Sequence, residues 1–171
     1  MFDLLKTAGA DRIMSVDLHA AQSQGFFDGP VDHLIAMPVL VDYIRDRFSN
    51  QLDNVAVVSP DAGRIRVAEQ WAQRLGGGPL AFVHKTRDIT RPNQAVANRV
   101  VGDVEGKDCV LVDDLIDTAG TIAGACSVLK DAGAKSVTVV ATHGVLSGPA
   151  VERFEEQRSP RSRAYRHRAD S

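Results

Sequence analysis

The segment 110–121 carries the clearest chemical signal in this chain. An apolar run leads into two adjacent carboxylates, Asp113 and Asp114, and then into the loop Asp117-Thr118-Ala119-Gly120-Thr121. A loop of this kind at the start of a helix presents backbone N–H groups to an anion. The glycine permits close approach of the backbone, and the two threonines add hydroxyl donors. These residues therefore predict a loop that binds phosphate.

The two carboxylates restrict the kind of phosphate that this loop would bind. Asp113 and Asp114 would repel a free phosphate dianion unless they bind hydroxyl groups or a cation instead. A sugar phosphate bound together with Mg²⁺ meets both conditions, because the sugar supplies hydroxyls and the cation prefers oxygen ligands. The structural alternative is an acidic turn in which Asp117 caps the following helix.

Polar side chains also follow other apolar runs of the sequence. His19 stands beside a loop rich in glutamine, which favours a ligand role over that of a histidine satisfied within the fold. Asp61 either binds a ligand or starts a turn after a proline. Lys85 and Arg87 open a long polar loop, and the alternative for them is a solvated basic surface.

Short β-branched runs alternate with segments of helical periodicity along the chain. The predicted strands are 12–17, 54–59, 80–84, 108–113 and 136–142, and the predicted helices are 38–48, 63–75 and 120–132. Nearly continuous apolar strands that alternate with helices are typical of βαβ units. The predicted fold class is α/β, an open parallel sheet with flanking helices. In such sheets ligands bind outside the carboxyl ends of the strands, where the candidate residues stand.

The composition excludes several classes of protein. The 171 residues are 44% hydrophobic and 25% charged, as in globular domains and unlike collagens, coiled coils or wholly disordered chains. A net charge of −2 gives no basic excess for nucleic acid. Cys109 and Cys126 are too few for a disulfide framework and lack metal-ligand spacing, so we expect them in the core. Without a signal-like start or a membrane-length apolar run, we expect a cytoplasmic protein that binds neither nucleic acid nor membrane.

The C-terminal residues 155–171 differ in charge from the rest of the chain. They contain five arginines and three acidic residues and show no apolar periodicity. We therefore expect a disordered basic tail at 155–171, rather than a functional basic patch, after an ordered region over 1–154.

The segment 110–121 resembles the phosphoribosyl-pyrophosphate (PRPP) binding motif that phosphoribosyltransferases and PRPP synthetases share. Further segments resemble the ribose-phosphate pyrophosphokinase family in particular. They are 16–28 with its Asp17-Leu18-His19 and Gln22-Ser23-Gln24-Gly25-Phe26-Phe27 motifs, 59–63, 85–93 and 142–147. The resemblance covers about 2–154. The motifs in 16–28 argue against a third hypothesis, a phosphoribosyltransferase or a PRPP-sensing regulator, since transferases do not need them.

The resemblance implies a phosphoribosyltransferase-like (type I) fold and an activity. The family transfers pyrophosphate from ATP to ribose 5-phosphate, which gives PRPP and AMP for nucleotide biosynthesis, with Mg²⁺ as cofactor and ATP as co-substrate. The implied roles are substrate binding by Asp113, Asp114, Asp117, Thr118, Ala119, Gly120 and Thr121, metal contact by His19 and Asp61, and catalysis by Lys85 and Arg87. Such a site would act by alignment, metal ions and positive charge at the developing negative oxygens.

The chain departs from the family pattern chiefly in length. Family members are longer and have two similar domains, so we interpret 1–154 as the end of the first domain and the start of the second, a truncated form with an incomplete fold. Segments that supply most of the adenine pocket are missing. A second hypothesis is therefore a non-catalytic subunit or sugar-phosphate-binding remnant. In either case we expect a homo-oligomer or association with full-length synthetase. Arg64 stands where a second glycine is common after Gly63, which we treat as a minor change.

Overall fold

The computed structural model describes residues 2–49, 51–86 and 97–158, and seven strands and five α-helices lie in this part of the chain. The strands are β1 (Ile13–Val16), β2 (Val31–Leu34), β3 (Val55–Ser59), β4 (Leu80–Thr86), β5 (Ala97–Val101), β6 (Asp108–Ile116) and β7 (Ser136–Gly144). The helices are α1 (Phe2–Thr7), α2 (Met37–Arg47), α3 (Ile65–Arg74), α4 (Gly120–Asp131) and α5 (Ala150–Arg158). Short 3-10 turns lie at Ala21–Phe26, Leu52–Asn54 and Ala62–Arg64.

Five of the strands form an open sheet in the order β5-β4-β3-β6-β7. The strands β3, β4, β6 and β7 are parallel, and helices cover both faces of the sheet, so the predicted α/β class is confirmed. Several details differ from the prediction, which did not include β2, β5, α1 or α5. The edge strand β5 runs antiparallel to β4, and β1 pairs in parallel with β2 in a separate two-stranded sheet. The sequence pattern missed β2 because Asp32 and His33 interrupt its apolar character.

The core is divided by the central strands β3 and β6, which are buried on both faces. Side chains alternate between the faces of a strand, so each strand contributes to two apolar clusters. One cluster joins Ala56, Val58, Cys109 and Leu111 to α4 residues such as Ile122, Cys126 and Leu129. The other joins Val55, Val57, Val110 and Val112 to α2 and α3 residues such as Met37, Ile44 and Trp71. This double burial explains why the strands read as continuous apolar runs.

Both cysteines are buried and free, as expected. Burial in apolar surroundings raises the pKa of the Cys109 thiol, and that of the Cys126 thiol, to about 11. Both side chains therefore stay protonated at neutral pH and act as small apolar packing groups.

The boundary predicted near Phe154 falls inside α5. Phe154 packs against the first cluster, and the helix continues to Arg158, so the first four residues of the segment 155–171 are helical and not disordered. The glutamates and glutamine at 155–157 are good helix formers, and Lys130 donates a hydrogen bond to the Gln157 carbonyl. Residues 159–171 lie outside the described residues, and the tail remains a prediction there.

No helix in the described ranges combines the length and the apolar composition needed to cross a bilayer.

Candidate active site

Asp113 and Asp114 stand within β6 and not after it. The strand was predicted to end at 113, but its ladder with β7 continues to the pair Ile116–Gly144. Asp114 follows Val110 and Val112 on the face that meets α3, while Asp113 lies on the opposite face. Because the ladder fixes the backbone here, both carboxylates are held in place before any ligand binds.

The loop 117–121 enters α4 through an unusual N-cap. Ala119 takes this position with φ +59°, in the left-handed region, and no side chain caps the helix. The alternative in which Asp117 caps the helix is therefore not observed; Asp117 instead accepts a hydrogen bond from the Ser147 hydroxyl. The guanidinium of Arg153 in α5 donates to the Thr118 carbonyl at 2.7 Å. The loop is thus shaped by side chains from the two segments that follow β7.

A single cleft brings the sequence-predicted ligands together. It encloses about 220 Å³ and is bounded by the loop, by the strand that carries the carboxylates and by the turns after β1 and β3. Its lining includes His19, Asp61, Arg64, Asp113, Asp114, Asp117, Thr118, Ala119, Gly120 and Thr121. Nine of the eleven predicted site residues therefore share one cavity at the carboxyl ends of the strands, as the rule for open α/β sheets predicts.

The other two predicted residues are Lys85 and Arg87. Lys85 is next to last in β4, the strand that neighbours β3. Its side chain and the whole of Arg87 lie outside the described residues, so their catalytic role remains a prediction.

His19 and Asp61 line the cleft from two different turns. His19 is largely exposed, and its Nδ1 lies 3.0 Å from Asp114 Oδ2. Asp61 accepts a hydrogen bond from the Gly63 N–H at 2.8 Å, as in the alternative where it starts a turn, but it still borders the cavity. Within the described ranges, no three His, Cys, Asp or Glu side chains gather closely enough to hold a metal ion. The donor types suit Mg²⁺, which proteins usually hold by one or two carboxylates together with the phosphates of a substrate.

Arg64 is the residue whose importance the sequence analysis missed. Its Nη2 donates to Asp114 Oδ2 and lies 2.6 Å from His19 Nδ1, and its Nε is 3.9 Å from Asp113 Oδ1. The substitution at this position is therefore not minor, because it places a cation among three of the predicted ligands. The available signal in the sequence was the pair of adjacent aspartates after an apolar run, because two neighbouring carboxylates require a nearby positive charge.

The two carboxylates of the site differ in pKa. Burial raises the pKa of Asp113 to about 6, and the hydrogen bond from the Asp114 N–H only partly opposes this effect. Burial acts in the same direction on Asp114, but hydrogen bonds from Asp113 and Arg64, together with the charge of Arg64, hold its pKa below the ordinary value. The pair thus keeps one proton more readily than two separate aspartates would.

Two further residues position His19, and the sequence analysis did not assign them a role. Asp17 Oδ2 accepts hydrogen bonds from the Ala36 N–H at 3.2 Å and the Thr142 hydroxyl at 2.6 Å, which ties the end of β1 to β7. His33 Nε2 accepts from the Leu18 N–H at 3.0 Å. No local pattern identifies these contacts, since His33 belongs to the strand that was missed.

The open α/β sheet, with a predicted phosphate-binding loop and two adjacent carboxylates at the carboxyl ends of its strands, is the arrangement found in phosphoribosyltransferase-type domains. The family model described as "Phosphoribosyl transferase domain" matches residues 32–162, more than half of the chain, and the chain belongs to that family. It is 94% identical over 155 residues to the ribose-phosphate pyrophosphokinase of Bifidobacterium longum (strain NCC 2705), which covers 91% of this chain and 46% of the relative. It is 68% identical over 152 residues to the enzyme of that name from Corynebacterium efficiens, with 89% and 46% covered.

Solved structures agree with these relatives. The crystal structure of phosphoribosylpyrophosphate synthetase from Mycobacterium smegmatis is 60% identical and matches with a TM-score of 0.81, over 91% of this chain and 48% of that one. Purine phosphoribosyltransferase from Pyrococcus horikoshii, at 20% identity and a TM-score of 0.52, shares the fold. The predicted resemblance and the phosphoribosyltransferase-like fold are confirmed. The chain spans just under half the length of the curated relatives it matches.

Proposed function

We propose that this chain carries the sugar-phosphate side of a ribose-phosphate pyrophosphokinase, a cytoplasmic enzyme of nucleotide biosynthesis that makes PRPP and AMP from ribose 5-phosphate and ATP. The observation that carries the proposal is the shared cleft, in which a loop at a helix start, the half-buried Asp113, the buried Asp114, a histidine and a third aspartate meet. The high identity to enzymes of this name supports the same activity.

The cleft provides a separate group for each part of ribose 5-phosphate. Backbone N–H groups and hydroxyls of the loop 117–121 would hold the 5-phosphate at the start of α4. Asp113 and Asp114 would accept hydrogen bonds from the ribose 2- and 3-hydroxyls, which orients the ring. The anomeric hydroxyl oxygen would then attack the β-phosphorus of ATP, with AMP as the leaving group.

Positive charge is the other requirement of pyrophosphoryl transfer. His19 and Asp61 would hold Mg²⁺, which when bound neutralises negative charge on the phosphates. Lys85 and Arg87 would supply donors to the oxygens on which charge develops as the group is transferred. Because these two residues act on the transferring group, we expect them to matter more for turnover than for ground-state binding.

A second candidate function is a non-catalytic chain that binds sugar phosphate and associates with full-length synthetase. Large apolar side chains at Met14, Phe26, Val39 and Tyr43 are exposed, which supports an association surface on the N-terminal third. Light scattering of the purified chain, alone and with a full-length synthetase, tests for a homo-oligomer and for this complex.

The decisive test is release of AMP from Mg²⁺-ATP by the purified chain, with and without ribose 5-phosphate. AMP that depends on ribose 5-phosphate supports the pyrophosphokinase. A folded chain that binds ribose 5-phosphate by calorimetry but releases no AMP supports the non-catalytic candidate. Absence of binding in a folded chain contradicts both. The variant Asp46→Asn changes an exposed helix carboxylate and serves as the matched control for changes at Asp113 and Asp114.

A further inference from the structure

Arg64 forms hydrogen bonds with His19 and Asp114, to which the proposed function assigns the metal and the sugar. We propose that Arg64 is the resident counter-ion of Asp114 and a hydrogen-bond donor to His19, and that a divalent cation must displace it from both. The chain then binds the cation tightly only together with an anionic substrate. This inference deepens the proposed function and rests on it. It assigns to Arg64 a positioning role, since the residue controls when its neighbours are available.

The hydrogen bonds of Arg64 use the atoms that a cation needs. A guanidinium has donors and no acceptor, so the 2.6 Å contact makes His19 Nδ1 an acceptor toward Arg64. Asp114 Oδ2 accepts from the same Nη2. A metal ion binds through lone pairs of this kind, and it would also be repelled by the fixed positive charge. The cation and the guanidinium therefore exclude each other at these two atoms.

The position of Arg64 in its own helix supports a role outside the helix. It is the N-cap of α3, makes no side-chain cap, and places a positive charge at the positive end of the helix dipole. Ser, Thr, Asp or Asn would suit this position better. The two carboxylates of β6 compensate for the unfavourable placement, and such breaks of a local rule are expected at functional sites.

A second cavity gives the guanidinium space into which it can move. This cavity encloses about 180 Å³ on the far side of the ion pair, and Arg64, Asp113 and Asp114 line both cavities. Asp17 and Gln70 also line it and supply acceptor oxygens. Rotation of the arginine toward that side would free Asp114 and His19 without a backbone movement.

The proposal predicts that cation and sugar phosphate bind cooperatively. The phosphate supplies oxygen ligands and negative charge that stabilise the cation in the cleft, and the cation in turn takes over the Asp114 carboxylate that Arg64 releases. Reciprocity of linked binding requires that each ligand raises the affinity for the other by the same factor.

Calorimetric titration of the full chain with Mn²⁺ alone, and again with saturating ribose 5-phosphate, tests the proposal. Arg64→Gln removes the charge but keeps a polar side chain, and it should raise the affinity for Mn²⁺ alone about tenfold while it reduces the cooperativity with the sugar phosphate. Arg66→Gln removes an exposed arginine two residues further along and should leave both quantities unchanged. Circular dichroism and a thermal melt check that each variant folds.

A folded Arg64→Gln chain whose affinity for Mn²⁺ stays within about twofold of the unmodified chain overturns the inference. If that variant does not fold, Arg64→Met takes its place, because its unbranched side chain carries neither the charge nor the donors of arginine. It should raise the Mn²⁺ affinity about tenfold, and no rise overturns the inference. Failure of the proposed function gives a different result, since the unmodified chain would then not bind ribose 5-phosphate at all.

Discussion

Strand β6 carries the buried Asp108 at its start and the half-buried Asp113 beside the buried Asp114 near its end, and the fold surrounds the two ends differently. Asp108 accepts hydrogen bonds from the Ser136 hydroxyl at 2.6 Å, from Lys135 Nζ at 2.9 Å and from Asn54 Nδ2 at 3.3 Å. These donors, Ser136 foremost, hold its pKa below the ordinary value. At the other end of the strand, burial raises the pKa of Asp113 to about 6.

The difference separates a structural carboxylate from one that is available to a ligand. Asp108 has its donors supplied by neighbouring segments, so its charge is compensated within the fold. Asp113 has one close donor, the Asp114 N–H, and a distant Arg64, so hydroxyl groups of a ligand would find free acceptor capacity there. Perturbed carboxylates in a cleft mark candidate functional sites for this reason.

The largest expected effect comes from removing both site carboxylates. The double variant Asp113→Ala and Asp114→Ala should lower the affinity for ribose 5-phosphate about 100-fold or more, since charge-assisted hydrogen bonds to two hydroxyls are lost. The free energy of unfolding should fall by about 1 kcal/mol, because the relief of carboxylate desolvation only partly offsets the loss of the partners that compensate the Arg64 charge. Calorimetry and urea unfolding measure the two quantities, and unchanged affinity contradicts the site assignment.

At Asp108, at the start of the strand, we expect a loss of stability without a loss of affinity for ribose 5-phosphate. Asp108→Asn should lower the free energy of unfolding by about 2 kcal/mol, because an amide group replaces one acceptor oxygen among three donors. Its affinity for ribose 5-phosphate should match that of Asp46→Asn. An Asp108→Asn chain that keeps its stability but loses the ligand would reverse the assignment of the two ends.

A smaller effect is expected from pH. The pKa of Asp113 is about 6 in the folded chain, whereas the ordinary pKa of an aspartate is 3.8. The folded state therefore binds the proton more tightly than the unfolded state. Its contribution to the free energy of unfolding therefore falls as pH rises from about 4 to about 6. The ionised form is the better acceptor, so the affinity for ribose 5-phosphate should rise several-fold between about pH 5 and 7.

The Asp113→Asn variant isolates this contribution. The phosphate of the ligand titrates near pH 6 as well, with a second pKa of about 6, and that part of the profile should persist in the variant. Calorimetry across the pH range gives both profiles. Identical slopes in the two chains would show that Asp113 does not titrate in the binding equilibrium.

The smallest expected change in affinity tests whether β6 alone determines ground-state binding. Lys85→Ala should reduce AMP formation at least about tenfold but leave the affinity for ribose 5-phosphate within about twofold. Paired AMP assays and calorimetry make the distinction. A large loss of affinity would mean that the segment after β4 binds the substrate before the reaction begins.

The pattern of apolar residues along the sequence was sufficient to predict the strands that are buried on both faces. Strands β1, β3, β4, β6 and β7 were predicted from their apolar, β-branched runs, whereas β2 was missed because polar residues interrupt it, and β5 was not predicted either. The loop 117–121 was predicted because its residues are consecutive. Arg64 was undervalued because its partner Asp114 is 50 positions away, and no sequence window contains both.

The left-handed backbone at Ala119 limits which amino acids can replace the alanine. Its left-handed backbone penalises any residue with a Cβ, and β-branched residues most of all. Its side chain is only 4% exposed, so a long residue has no route to solvent. In a saturation library of the loop, glycine is expected to survive beside alanine, with valine, isoleucine and threonine the first to be lost. The backbone conformation of Ala119 thus restricts position 119 to small residues that are not β-branched, whatever changes elsewhere in the loop.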